Sequence, residues 1–199
     1  SIGIAAADVD KTDSAIQLII DNLAKNENFK VTMEDINFYS ILGKSFLVIL
    51  PGLDMEGNFI RGASGNGDIL VYMKKDSNYI LVGKLDGSSY EIKEMKGKVG
   101  LIKRSHAGGG WEPPTAYELS GETFVESDKY EVSNRNNTNW FDVNAWISPL
   151  YDLSDEVTMK TILERALEEG KKKSGHYGYI SVHIYQNDKL AVDFEGIAD

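Results

Sequence analysis

The chain of 199 residues contains no cysteine. This absence excludes disulfides, thiol nucleophiles, zinc–thiolate sites and iron–sulfur clusters. A chain of this length buries roughly 70% of the surface that its unfolded form exposes, so it can fold without a covalent or metal staple. We therefore predict a single domain over residues 1–199, in which residues 1–11 form a flexible N-terminal segment.

The sequence also lacks long apolar runs and an excess of basic residues. No run approaches the roughly 20 apolar residues of a membrane-spanning helix, so we expect no transmembrane segment. Acidic residues outnumber basic ones by 31 to 21, for a net charge of -10. Such a surface repels phosphate backbones, which predicts that nucleic acid is not a partner. The small-residue segment 1–7 resembles the end of a signal peptide and slightly favours export or the cell envelope over the cytoplasm.

Two amphipathic helices are expected, one towards each end of the chain. Asp13 is a suitable N-terminal cap, with its neighbour Thr12 as the alternative, and apolar residues then recur at helical spacing to about residue 25. The same periodicity returns over residues 154–170. There, Ser154 is the expected cap, and Gly170 with the lysines after it marks the expected end.

The middle of the chain consists of short strand-like runs with turn residues between them. Residues 45–50 are continuously apolar and stop at a Pro-Gly pair, as is typical of a buried strand. The intervals leave no room for crossover helices, so the pattern indicates an antiparallel meander. The other predicted strands are 58–61, 69–73, 79–85, 90–95 and 99–103, with weaker candidates at 29–37, 116–119, 123–126, 130–133 and 140–147.

The C-terminal alternation over 179–185 and 190–195 predicts a hairpin whose register can be derived. For the apolar residues of both strands to share a face, paired residue numbers must sum to an even value. A two-residue Asn187-Asp188 turn would mix the faces, so we expect a three-residue turn. The preferred turn, 186–188, sets His183 opposite Ala191, and the alternative turn, 187–189, sets it opposite Asp193.

These elements predict an α+β fold: an antiparallel β meander, as a sheet or a partly closed barrel, with two amphipathic helices packed on it and a C-terminal β-hairpin. The order of elements resembles ligand-binding barrels of the lipocalin type, which implies a small-molecule carrier. The Gly-x-Trp motif near the first strand of those barrels is absent, because Gly109-Gly110-Trp111 lies in the wrong half of the chain. The resemblance is therefore one of shape, which is a weak basis for function.

Sequence motifs for metals and cofactors are missing. No two histidines have the four-residue spacing of a helical metal site, and there is no His-Glu-x-x-His. The acidic segment 8–13 lacks the glycine and the glutamate of a calcium loop. The glycine-rich segment 62–67 lacks the lysine of a phosphate-binding loop and the helix that should follow it. We predict neither a metal nor a cofactor.

Aromatic and amide residues are concentrated between residues 111 and 151, next to a glycine-rich segment. A glycine run follows His106, so residues 105–114 are expected to form an irregular loop, where binding sites concentrate. Tryptophans beside asparagines suit the recognition of sugars or peptides, which requires stacking together with hydrogen bonds. The predicted binding residues are His106, Trp111, Glu112, Asn137, Trp140 and Trp146.

The favoured hypothesis is a non-catalytic binding or interaction protein that recognises a partner protein or a carbohydrate. One alternative is a hydrolase in which His106 or His183 acts with a neighbouring carboxylate. The other is a small-molecule carrier with its ligand inside the β core.

Overall fold

The computed structural model describes residues 13–95, 97–107, 110–111, 114–135, 139–174 and 178–198. Over these residues the fold is α+β, with mostly antiparallel strands in open sheets rather than a closed barrel. The chain forms two compact units. The first contains Ser1–Trp111 and Glu118–Val125, and the second contains Glu112–Tyr117 and Glu126–Asp199. The expected N-terminal segment, residues 1–11, lies outside the described residues.

The first helix of unit 1, α1 (Ser14–Glu27), begins at the predicted cap. The Asp13 Oδ1 atom accepts a hydrogen bond of 2.9 Å from the Ala15 amide, which satisfies one of the helix's unpaired N–H groups. The helix ends at Asn28, whose left-handed backbone (φ 59°) is a common helix terminator. Its buried side is the predicted apolar stripe, which contains Ile16, Ile19 and Leu23.

The strands of unit 1 run in chain order and pair mostly with their sequence neighbours. Strands β2, β3, β5 and β6 form one four-stranded antiparallel sheet in that order, and β7, β8, β11 and β12 form another. The chain passes between the units within β11 and β12. The strands are β1 Phe29–Lys30, β2 Ile36–Ile41, β3 Lys44–Ile49, β4 Leu53–Asp54, β5 Gly67–Lys75, β6 Asn78–Gly87, β7 Ser89–Met95, β8 Lys98–Arg104, β9 His106–Ala107, β10 Gly110–Trp111, β11 Thr115–Ser120 and β12 Thr123–Glu126.

The core of unit 1 forms where α1 lies on the first of these sheets. Ile16, Ile19 and Leu23 of the helix join a buried cluster with Leu47 and Ile49 of β3 and other apolar residues. The continuous apolar run of β3 is buried along both faces, since the four consecutive residues from Phe46 to Ile49 are each at most 1% exposed. The prediction of a buried strand here is confirmed.

In the described part of the chain, unit 2 contains a four-stranded sheet and one helix. The order of its strands is β13-β14-β15-β16, and β14 and β15 are parallel. A parallel neighbour requires a long crossover, and the second helix, α2, provides it between these two strands. The sequence reasoning missed this parallel pair because it treated the second helix and the hairpin separately. The elements are β13 Lys129–Asn134, β14 Trp140–Ile147, α2 Glu156–Ser174, β15 Gly178–Gln186 and β16 Lys189–Ala198.

Both predicted ends of α2 differ from the structure. Asp155 rather than Ser154 caps its N-terminus, because the Asp155 Oδ2 atom accepts hydrogen bonds from both the amide and the hydroxyl of Thr158. Gly170 does not end the helix, which continues through the lysines to Ser174. Gly170 is instead buried on the sheet, where a Cβ atom would lie 2.9 Å from Val143 Cγ2.

In the C-terminal hairpin the apolar side chains share one face of the sheet, as predicted. The turn and the register that place them there differ from the prediction. Gln186 pairs with Lys189 across a two-residue turn, so the predicted three-residue turn is wrong. Asn187 and Asp188 both have positive φ (55° and 59°), as a type I′ turn requires. A β-bulge then shifts the register by one residue, so that Ile184 pairs with Val192 and the apolar faces agree. His183 consequently lies opposite Asp193, as the alternative turn predicted.

Two other local predictions need correction. Residues 58–61 form no strand; Phe59 makes only an isolated bridge to Leu53. The segment 105–114 is not wholly irregular, because His106–Ala107 and Gly110–Trp111 pair as a short antiparallel ribbon. Of the helices in the described ranges, none has the length and hydrophobicity to cross a membrane.

Candidate functional site

The sheet of unit 2 has one face covered by α2 and one that carries aromatic and polar side chains. Val143, Ala145, Ile180 and Val182 are buried on the covered face. Because side chains alternate along a strand, the residues between them lie on the other face, which we term the open face. Its residues are Lys129, Glu131, Ser133 and Arg135 on or just after β13, Trp140, Asp142, Asn144 and Trp146 on β14, Tyr179, Ser181, His183 and Tyr185 on β15, and Leu190, Asp193 and Glu195 on β16.

A stacked aromatic pair lies at each end of the open face. Trp140 stacks on Tyr179 with ring centroids 5.1 Å apart, and Trp146 stacks on Tyr185 at 5.5 Å. The register places these residues directly opposite each other on neighbouring parallel strands. Cross-strand aromatic pairs of this kind stabilise a sheet and hold both rings in fixed orientations.

A cation from β13 covers the other side of each tryptophan. The Arg135 guanidinium lies over the Trp140 ring, 5.0 Å from its centroid, and the Lys129 ammonium lies 5.1 Å from the centroid of Trp146. Since β13 and β15 flank β14 on opposite sides, each indole lies between a cation and a tyrosine. Ring edges rather than ring faces are therefore directed away from the sheet.

The centre of the open face, between the aromatic pairs, is polar and mostly acidic. Asp142 accepts two hydrogen bonds from Arg135, and these bonds lower the pKa of its carboxyl below the ordinary value. The His183 Nδ1 atom lies 2.9 Å from Asp193 Oδ1, and its Nε2 atom lies 3.7 Å from Asp142 Oδ1. The Ser181 hydroxyl is buried and accepts a hydrogen bond of 2.8 Å from the Trp140 indole. The polar groups of the centre are thus largely fixed by one another.

The structure brings together only some of the predicted binding residues. Trp140 and Trp146 share the open face, together with His183 of the hydrolase hypothesis. His106 belongs to unit 1, where the Asn66 side chain accepts a hydrogen bond from the His106 amide and donates one to its carbonyl. Trp111 pairs with His106 in the β9–β10 ribbon.

The other two predicted binding residues, Glu112 and Asn137, lie outside the described residues.

Unit 2 also contains a buried polar cluster that the sequence reasoning did not find. The Asp128 side chain is 1% exposed and accepts hydrogen bonds from the Ser148 amide (3.0 Å) and the Tyr151 hydroxyl (2.7 Å). The Arg165 Nη1 atom lies 3.7 Å from the same carboxylate, and its other terminal nitrogen binds Glu126. Burial raises the pKa of Asp128 to about 6. Nothing in the sequence distinguishes Asp128 from the other acidic residues, because only the fold buries it.

Hydrogen bonding in this cluster opposes the effect of burial: the bonds from Tyr151 and Ser148 lower the pKa of Asp128, and the pKa stays raised because burial outweighs them. The Tyr151 hydroxyl has one hydrogen but two neighbouring acceptors, Asp128 Oδ2 and the Pro114 carbonyl at 2.9 Å. A protonated Asp128 can donate to the tyrosine oxygen, so that the tyrosine can donate to Pro114 and every group is satisfied. These hydrogen bonds connect the Asp128 loop, the Tyr151 turn and Pro114 to one another.

Neither a metal site nor a similarity to other proteins indicates a function for this chain. Within the described ranges, no three His, Asp or Glu side chains gather as a metal site would require. No protein-family model, no curated protein and no solved structure matches this chain. Any function proposed for the chain therefore depends on the chemistry of its own residues.

Proposed function

We propose that this chain is a non-catalytic interaction protein that binds a partner protein through the open face of unit 2. The observation that carries the proposal is the pair of rigid Trp–Tyr stacks on a sheet face that α2 does not cover. Tryptophan, tyrosine and arginine are the residues that contribute most often to the energy of protein interfaces. Rings already held in place lose little conformational entropy when a partner binds.

Exposed apolar side chains at the two ends of the open face are available to contact a partner protein. Tyr179 is 50% exposed and Leu190 is 53% exposed. They lie at opposite ends of the face, since Tyr179 pairs with Trp140 and Leu190 pairs with Tyr185. Trp146 lies six positions after Trp140 along β14, so the face is roughly 20 Å long.

A protein partner is better supported than a carbohydrate. A sugar binds an aromatic residue by lying flat against its ring face. The ring faces of Trp140 and Trp146 already contact Arg135 and Lys129 on one side and tyrosines on the other. The indole N–H of Trp140 is also occupied by Ser181.

Binding is also better supported than hydrolysis. The His183–Asp193 pair has the geometry in which a carboxylate orients an imidazole. However, the second imidazole nitrogen faces Asp142 rather than a nucleophile. The hydroxyl on the same face of the strand, that of Ser181, is buried beneath Trp140.

The test compares the affinities of two double variants for a purified partner protein. A protein recovered from an extract of the source cells on the immobilised chain is identified and purified, and its affinity is measured by calorimetry. The variant Tyr179→Ala/Leu190→Ser should weaken binding at least tenfold, because it removes both exposed apolar contacts. The matched control, Phe59→Ala/Leu81→Ser, alters residues of unit 1 that are 87% and 49% exposed and should bind like the wild type.

Equal affinities for the two double variants would show that the open face is not the binding surface. Binding to a glycan array is the second test. If the wild type binds a glycan and Tyr179→Ala/Leu190→Ser does not, the ligand of the open face is a carbohydrate and not a protein.

A further inference from the structure

The charges of the open face are unevenly distributed across its strands. Both cations, Lys129 and Arg135, lie on the β13 side and form ion pairs with Glu131 and Asp142. The β16 side carries Asp193, with 61% of its side chain exposed, and the exposed Glu195. Two described basic groups act on this side: His183 faces Asp193, and Arg135 interacts electrostatically with Glu195. The β16 side of the open face is therefore an acidic strip.

Apolar groups flank this acidic strip at both ends. Along the sheet, the pairings place Tyr179 of β15 and then Glu195, Asp193 and Leu190 of β16 at four successive levels. These are the levels of Trp140, Asp142, Asn144 and Trp146 on β14 respectively. Successive levels are two residues apart, which is roughly 7 Å along a strand. The order from one end to the other is apolar, acidic, acidic, apolar.

We infer that the partner contributes a basic segment with two Lys or Arg side chains about 7 Å apart, flanked by apolar residues. An extended chain has this spacing, because side chains at positions i and i+2 lie on the same side. Its basic residues would face Glu195 and Asp193, and its apolar residues would contact Tyr179 and Leu190. The net charge of -10 of the whole chain would also attract a basic partner from a distance. This inference rests on the proposed protein-binding function.

A short synthetic peptide tests the inference without the natural partner. The probe has seven residues: leucine at the first and last positions, lysine at the third and fifth, and serine elsewhere. Titration into the ¹⁵N-labelled chain should move amide signals of β15 and β16 more than those of unit 1. Replacing the two lysines by glutamates should abolish these shifts, and moderate salt should weaken binding because the charges are exposed.

Charge-neutralising variants test the same strip. Asp193→Asn/Glu195→Gln should lower the affinity for the lysine peptide roughly threefold to tenfold, as expected for two exposed ion pairs. Glu34→Gln/Asp76→Asn is the matched control, because it removes two exposed acidic groups of unit 1. Lysine and glutamate peptides that bind equally well, or equal losses in the two double variants, would overturn the basic-segment inference.

The same variants separate this inference from the proposed function. If Asp193→Asn/Glu195→Gln binds the purified partner like the wild type while Tyr179→Ala/Leu190→Ser does not, the partner is not basic but the open face still binds it. If both variants bind the partner like the wild type, the inference and the proposed function both fail.

Discussion

Replacing Tyr151 by phenylalanine should destabilise unit 2 through the buried cluster around Asp128. The Tyr151 hydroxyl lies 2.7 Å from Asp128 Oδ2 and 2.9 Å from the Pro114 carbonyl. Tyr151→Phe keeps the buried ring and removes both contacts. A net hydrogen bond is worth about 1 kcal/mol, and a buried acceptor left without a partner costs about 1–3 kcal/mol. We therefore expect the free energy of unfolding to fall by about 2–3 kcal/mol.

The pH dependence of stability gives a second, independent readout of the same cluster. Burial raises the pKa of Asp128 from the ordinary 3.8 to about 6, so the folded state holds this proton more tightly than the unfolded state. The stabilisation is complete below pH 4 and is lost as the pH rises to about 6. A difference of this size is worth about 3 kcal/mol. Asp128→Asn should remove this loss, so its stability relative to the wild type should rise between pH 4 and pH 6.

Urea unfolding monitored by tryptophan fluorescence, at pH 4, 5, 6 and 7, measures both effects. Tyr179→Phe is the matched control, because Tyr179 is half exposed and loss of its hydroxyl should change stability by less than about 0.5 kcal/mol. In Tyr151→Phe the pH-dependent loss should move to higher pH, because the Tyr151 hydrogen bond lowers the pKa of Asp128. The reasoning is refuted if Tyr151→Phe costs no more than Tyr179→Phe, or if Asp128→Asn and the wild type show the same pH dependence.

Two further predictions concern backbone positions of unit 2. Gly170→Ala should destabilise the chain by about 1–3 kcal/mol despite the helix preference of alanine, because the added Cβ would lie 2.9 Å from Val143 and 3.1 Å from Ile180. Urea unfolding beside the exposed-site control Glu168→Ala checks this, and a stabilised Gly170→Ala would contradict the packing. Asp188→Gly should stabilise the hairpin by about 0.5–1 kcal/mol, because φ at this position is 59° and glycine adopts such angles without strain. Slower amide hydrogen exchange in β15 and β16 would show this gain in stability. Unchanged or faster exchange would contradict the positive φ of Asp188 in the turn.

Local sequence patterns determined the elements whose interactions are themselves local. Asp13 could be recognised as a cap because the amide that it binds is two residues away. The apolar stripe of α1 and the buried run of β3 follow from periodicity and length alone. The even-sum register of β15 and β16 also followed from alternation, because a shift of one residue would turn a whole apolar set away from the core.

Tertiary structure decided the features that depend on residues distant in the chain. Gly170 has the sequence signature of a helix end, but its place against Val143 and Ile180 on the sheet requires a residue without a side chain. The two-residue turn is compatible with the even-sum register only because a β-bulge absorbs one residue, which alternation does not reveal.

The candidate site divides in the same way. Its aromatic composition was visible in the sequence, and Trp140 and Trp146 were chosen on that basis. Their stacking on Tyr179 and Tyr185 depends on the parallel pairing of β14 with β15, which the crossover through α2 brings about. Asp128 is one acidic residue among 31 in the sequence. Only burial against groups 20 or more residues away, Ser148 and Tyr151, gives it a distinct chemistry.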